Sequence, residues 1–187
     1  MIYLTIIIAL LNQVTEATTI ETKSARINYN DFDQRILEKF FDLEYNEDEH
    51  DEKRVFYSHS MMMYGTGNEK TEKELIHNKL SDFGIISPKF YEGKSKKMTG
   101  DFNKLYKNKD GKTIEEMQFY KMVVSSCEVL VYSEWEGEIP SGVAIEVNHA
   151  IDAGIPVFEF DGDKFIPQKG HVHGLSYDET VKMYNED

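Results

Sequence analysis

The chain has 187 residues, with 11 phenylalanines, 11 tyrosines, one cysteine and a formal net charge of −13. Its length suits one domain with an extension, and its aromatic content belongs to a chain that folds around a core. The acidic balance excludes a protein that wraps a nucleic acid polymer, because phosphate neutralisation needs clustered Lys and Arg. A lone Cys127 excludes an intrachain disulfide and a thiolate metal cluster.

Ile2 to Leu11 is apolar but too short to cross a bilayer as a helix. It reads as a buried strand or helix start in a cytoplasmic protein with no membrane partner. The alternative is the apolar stretch of a signal peptide, with Thr15-Glu16-Ala17 as a poor cleavage site and no Lys or Arg ahead of it. From Asp33 to Leu43, apolar residues recur at Ile36, Leu37, Phe40, Phe41 and Leu43, the spacing of an amphipathic helix capped by Asp31 or Asp33. Glu44 to Glu52 holds six acids in nine residues and reads as an exposed linker. Residues 1–43 are thus an N-terminal extension and 44–52 a linker. Residues 53–165 form an α/β domain, and 166–187 a C-terminal loop and helix.

Beyond the linker the pattern alternates. Val55 to His59 is a short strand. Glu69 to Phe83 is a helix with Leu75, Ile76, Leu80 and Phe83 inward, and Gly84 is its stop. Ile85-Ile86 begins a second strand that Pro88 ends. Tyr91 to Gly111 is polar and reads as a long excursion or lid. Its cluster Lys94, Lys96 and Lys97 is a solvated loop, with a phosphate clamp as the alternative. A helix opens at Thr113 or Glu115 and runs to about Ser126. Val129 to Tyr132 is a strand, Gly142 to Ala153 a helix, and Pro156 to Phe160 a strand. This alternation means parallel strands joined by helical crossovers, a flavodoxin- or Rossmann-like α/β sheet with flanking helices. Cys127, in an apolar run, is a small buried residue. After a polar turn region from Asp161, Tyr177 to Glu186 forms a last helix with Ser176 as a weakly supported cap, expected on the sheet edge.

Two segments point to a site. After the first strand come Ser58, His59, Tyr64, Gly65, Thr66 and Gly67: glycines that let a ligand approach the backbone, and side chains that hydrogen-bond. The run lacks the endings of a P-loop or a dinucleotide fingerprint. The bland reading is a Met-rich plug over the sheet. The second segment, Ile139 to Phe160, places Ser141-Gly142 at a tight turn and Glu146 in an otherwise apolar helix opening. Such a glutamate can merely complement the helix dipole, or it can face a ligand at the carboxyl edge of the strands. His171 and His173 read as a solvated loop rather than metal ligands.

Together these segments resemble the nucleoside 2-deoxyribosyltransferase superfamily, with its branch of deoxynucleoside 5'-monophosphate N-glycosidases. The resemblance covers about Val55 to Phe160. It rests on the polar loop after the first strand, on Ser126-Cys-Glu-Val-Leu-Val131, and most specifically on Ser141-Gly-Val-Ala-Ile-Glu146 followed by Ala150-x-x-x-Gly154-x-Pro-Val157. It implies a nucleoside or nucleotide partner, a homodimer, and no cofactor or metal. It also implies a catalytic glutamate, here Glu146, that attacks or stabilises the anomeric carbon as the base departs. Ser58, His59, Tyr64, Gly65, Ser141 and Gly142 would line the pocket, with Ser141 near a 5'-phosphate. Where the family often has an aspartate before the third strand, this chain has Tyr120. Glu116, Glu134 and His59 are the substitutes for the acid that protonates the base. Two alternatives stay open: a nucleotide-binding or sequestering module without turnover, and an NAD glycohydrolase of the TIR type.

Overall fold

The structure, a computed structural model, describes residues 53–91, 95–97, 99–100 and 116–186. The expected N-terminal helix, the acidic linker and most of the Tyr91–Gly111 excursion lie outside the described residues.

The architecture is a five-stranded α/β sheet of Rossmann-like type, ordered β2-β1-β3-β4-β5. The strands are β1 (Arg54–Ser58), β2 (Gly84–Ile86), β3 (Val129–Tyr132), β4 (Val157–Asp161) and β5 (Lys164–Gln168). The first four run parallel, and β5 returns antiparallel along β4. Crossovers are made by α1 (Gly67–Lys79), α2 (Glu116–Ser125) and α3 (Ser141–Asp152), and α4 (Tyr177–Glu186) closes the chain.

The strands form because their side chains are apolar on both faces, as a sheet covered on two sides requires. Along β1, Val55 and Tyr57 pack into one cluster with Ile76, Phe83, Val131 and Phe158. Phe56 points the other way, into a cluster with Met122, Val123, Leu130, Val143 and Val147. The period of two along the strand therefore sorts residues between an α1 layer and an α2/α3 layer. Each such side chain contributes roughly 1.5–3 kcal/mol by leaving water. Cys127 is buried, as its apolar neighbours required, and burial pushes its thiol up to about 12.

Several expectations are corrected. The helix after the first strand ends at Lys79, and Gly84 opens β2 rather than capping the helix. Leu80 and Phe83 still pack on the α1 side of the sheet from the connecting turn. Tyr91 belongs to the core, not to a lid: its ring is buried and meets Phe119 edge-on at 5.4 Å. The polar stretch after Asp161 holds a whole strand, so β5 runs across the boundary placed at 165. It starts from a tight turn in which Gly162 takes φ +67°. Ser176 is a full cap. Its Oγ accepts from Glu179 N–H at 3.3 Å, and Glu179 Oε2 accepts from Ser176 N–H at 2.8 Å. This is a capping box whose partner is the third residue on, Glu179. The last helix packs against α3. No helix among the described residues is long and apolar enough to cross a membrane.

Candidate active site

The chain crosses from β1 leftward to β2 and returns rightward to β3, so the strand order reverses between β1 and β3. In sheets of this kind ligands bind outside the carboxyl ends at such a point. The floor there is Ser58, paired in register with Tyr132, and Ser133, whose N–H donates to the Ser58 carbonyl at 3.2 Å.

Glu146 reaches this floor from α3. The chain leaves β3 through Trp135–Glu138, a tight turn with Glu136 at φ 53° and Gly137 at φ 81°, closed by reciprocal backbone bonds of 2.9 Å. Pro140 then starts α3 without a side-chain cap. Val143, Ala144 and Val147 bury the helix face that carries Glu146. Glu146 is 4 % exposed, and its Oε2 accepts from Ser58 Oγ at 2.5 Å. Burial raises the carboxyl to about 8, although the Ser58 bond pulls it down. At neutral pH the closed site therefore holds a mostly protonated acid. Two residues 88 apart in sequence are thus brought into one hydrogen bond.

The rest of the first loop is organised around a different carboxylate. Ser60 caps a single 3-10 turn (Met61–Met63), accepting from Met62 N–H at 3.2 Å. Thr66 caps α1, accepting from Glu69 N–H at 3.2 Å, and Glu69 reaches back to Gly65 N–H at 2.6 Å. Glu69 also takes Lys73 Nζ at 2.7 Å and Lys89 Nζ at 3.1 Å. Burial alone would raise its carboxyl. Bonds from Lys73, Gly65 and Lys89 outweigh that and hold it at about 2. Gly65, at φ +76°, takes a backbone conformation that a side chain would strain, and a Cβ there would also meet Lys89 Nζ at 3.1 Å.

His59 stacks on Tyr57 with ring centroids 4.3 Å apart and meets Tyr64 edge-on at 5.3 Å. Its Nδ1 bonds the Tyr57 carbonyl at 3.2 Å. Its Nε2 stands 3.4 Å from Glu69 Oε1 without hydrogen-bond alignment. Burial lowers its pKa to about 4, so the imidazole is neutral and its approach to Glu69 is not an ion pair at neutral pH. Tyr57 OH bonds Ser133 Oγ at 2.9 Å and also the Glu72 carboxylate. An open groove of about 630 Å³ lies along this cluster, lined by Glu69, Lys70, Lys73, Glu74, His77 and Lys89 among others; neither Ser58 nor Glu146 lines it.

The structure thus joins Ser58 to Glu146 and gathers His59, Tyr64 and Gly65 about Glu69. Ser141 and Gly142 form the first turn of α3, where the Ser141 N–H donates to Thr180 Oγ1 at 3.0 Å. Of the possible acid/base residues besides His59, Tyr120, at the position of the family's aspartate, packs its ring 6.2 Å from that of Tyr91, against the core. Glu116 is the first residue of α2. Glu134 follows β3 at the carboxyl edge, its pKa raised by partial burial and by Glu159, Glu138 and Asp161. His171 does have an acidic partner, Asp152 at 2.7 Å, but both side chains are exposed. No group of three His, Cys, Asp or Glu side chains that would hold a metal occurs among the described residues.

Glu69, Thr180 and Tyr184 escaped sequence reasoning. The Thr66-x-x-Glu69 capping box was a readable signal for the first. Nothing local signals the other two. No protein-family model, no curated protein and no solved structure matches this chain.

Proposed function

We propose that the protein cleaves, by hydrolysis or transfer, the N-glycosidic bond of a nucleoside or nucleotide, with Glu146 acting at the anomeric carbon. The observation that supports this reading is the Glu146 carboxyl, enclosed at the strand-order reversal and hydrogen-bonded by Ser58 from the neighbouring strand end. Cleavage needs a carboxylate beside a carbon that turns oxocarbenium-like. The ionised form of Glu146 is a minority at neutral pH, and the Ser58 hydroxyl favours it. A developing positive charge on the sugar favours it further.

In the nucleophilic version, the carboxylate oxygen bonds to the anomeric carbon as the carbon–nitrogen bond breaks. The electron pair leaves with the base, which takes a proton. Water or a second base then displaces the glycosyl ester. Glu134 is the candidate proton donor, since it stands at the carboxyl edge with a raised pKa. Ser141 and Gly142, in the first turn of α3, suit a polar or anionic group of the sugar.

A second reading, a nucleotide-binding module without turnover, is favoured by one observation: Tyr120, where the family often has an aspartate, packs against the core. A chromatographic screen for free base, from purified protein with pooled nucleosides, nucleoside monophosphates and NAD, separates the two. Release names the substrate class. Ligand-dependent thermal stabilisation without release supports the binding module instead.

A further inference from the structure

Glu146 and Ser58 are 4 % and 0 % exposed, so a ligand reaches that carboxyl only after something moves. The C-terminal segment bridges two walls of this site, the start of α3 and the loop after β1. Its first part is pinned along α3. Val172 N–H donates to Asn148 Oδ1 at 2.8 Å, Asn148 Nδ2 donates to the Val172 carbonyl at 3.1 Å, and Leu175 N–H donates to the Ile139 carbonyl at 2.8 Å. Gly174 lies so close to α3 that a Cβ there would meet Ala144 Cβ at 2.4 Å and the Ile139 carbonyl at 2.9 Å.

The helix beyond is held far less. Tyr177 is 74 % and Val181 37 % exposed, while Thr180 is buried. On one wall Thr180 Oγ1 accepts from Ser141 N–H at 3.0 Å. On the other, Ser60 Oγ donates to Tyr184 OH at 3.5 Å, a long and weak bond. The Ser176–Glu179 capping box holds the first turn of α4 in place.

We propose that α4 is a lid over the Ser58–Glu146 site, hinged on the pinned stretch Val172–Leu175 and latched by the Thr180 and Tyr184 hydroxyls. A ligand acceptor that takes the Ser141 N–H displaces Thr180, which couples binding to opening. The proposal rests on this being the ligand site, not on the reaction run there.

The test uses the full chain as wild type, as the double variant Thr180→Val/Tyr184→Phe, and as Glu179→Ala, which loosens α4 without touching either wall. Two readouts are taken. One is the rate at which a water-soluble carbodiimide and an amine label Glu146, mapped by mass spectrometry with exposed Asp163 as internal reference. The other is amide exchange across 177–186. Removing the Thr180 hydroxyl raises the open population about fivefold and removing the weaker Tyr184 one about twofold, so the double variant labels Glu146 about tenfold faster, with Asp163 and α3 unchanged. Glu179→Ala speeds α4 exchange and Glu146 labelling together. Glu146 labelling that stays at the wild-type rate in both variants while α4 exchange accelerates overturns the lid. So does α4 exchange that the double variant leaves unaltered. Faster labelling with no base released from any substrate leaves the lid standing and removes the glycosidase reading.

Discussion

Replacing Glu146 with Gln removes the ionisation and keeps the shape, which makes the buried acid visible in stability rather than in activity. The carboxyl sits at about 8 when folded against an ordinary 4.5. Between those values the folded state binds more protons than the unfolded chain, so stability falls as pH rises. The contribution is fully present below about 4.5 and lost above about 8. From about pH 5 to about pH 9 wild type should lose about 4 kcal/mol relative to Glu146→Gln. His59 works the other way. Held at about 4 against 6.5, it makes the folded state bind fewer protons over that interval, so stability rises with pH there. Both chains carry it, and it cancels in the difference. Urea unfolding followed by the fluorescence of Trp135, the only tryptophan, measures both proteins across this range. A difference that stays flat to within about 1 kcal/mol would refute the buried, proton-holding Glu146.

Three further outcomes follow from the same geometry. With a substrate whose base leaves without needing a proton, such as the nicotinamide of NAD, kcat/KM for base release rises with pH to a plateau above about 8 if ionised Glu146 does the chemistry, and Ser58→Ala moves the midpoint up by about 1–2 units by removing a hydrogen bond that favours the charge. Glu69→Ala strands Lys73 and Lys89 and should cost about 2–3 kcal/mol in urea unfolding at neutral pH. Because the Glu69 carboxyl is depressed to about 2, its contribution fades as pH falls from about 4.5, so the deficit should shrink on acidification. Gly174→Ala forces a methyl against Ala144 and the Ile139 carbonyl, and should lower stability by about 1–3 kcal/mol with faster amide exchange in α4.

The parallel part of the fold was legible because its signals are local. Val129–Tyr132 is an unbroken apolar run, Gly154 stops α3, and the alternation of short strands with helices leaves few topologies. β5 was not legible. Lys164-Phe-Ile-Pro-Gln168 is an edge strand with mostly exposed residues, and its proline, tolerated only at an edge, reads as a breaker. The Asp-Gly-Asp turn before it was the usable hint. The site divides in the same way. Glu146 stood out as a charge in an otherwise apolar helix opening, but its partner Ser58 depends on strand order, which no local pattern carries. His59 drew attention as a polar residue at a strand end, yet its neighbours are set by Glu69 and by stacking on Tyr57. Thr180 and Tyr184 join the site only because the chain doubles back along α3.

The central claim is that Glu146 acts on bound substrate. The most direct measurement is base release by wild type and Glu146→Gln side by side, on whichever nucleoside, nucleotide or NAD wild type consumes, with ligand-induced thermal shift recorded for both. The account predicts that the variant loses release while its thermal shift persists. Equal release from the two proteins would contradict it.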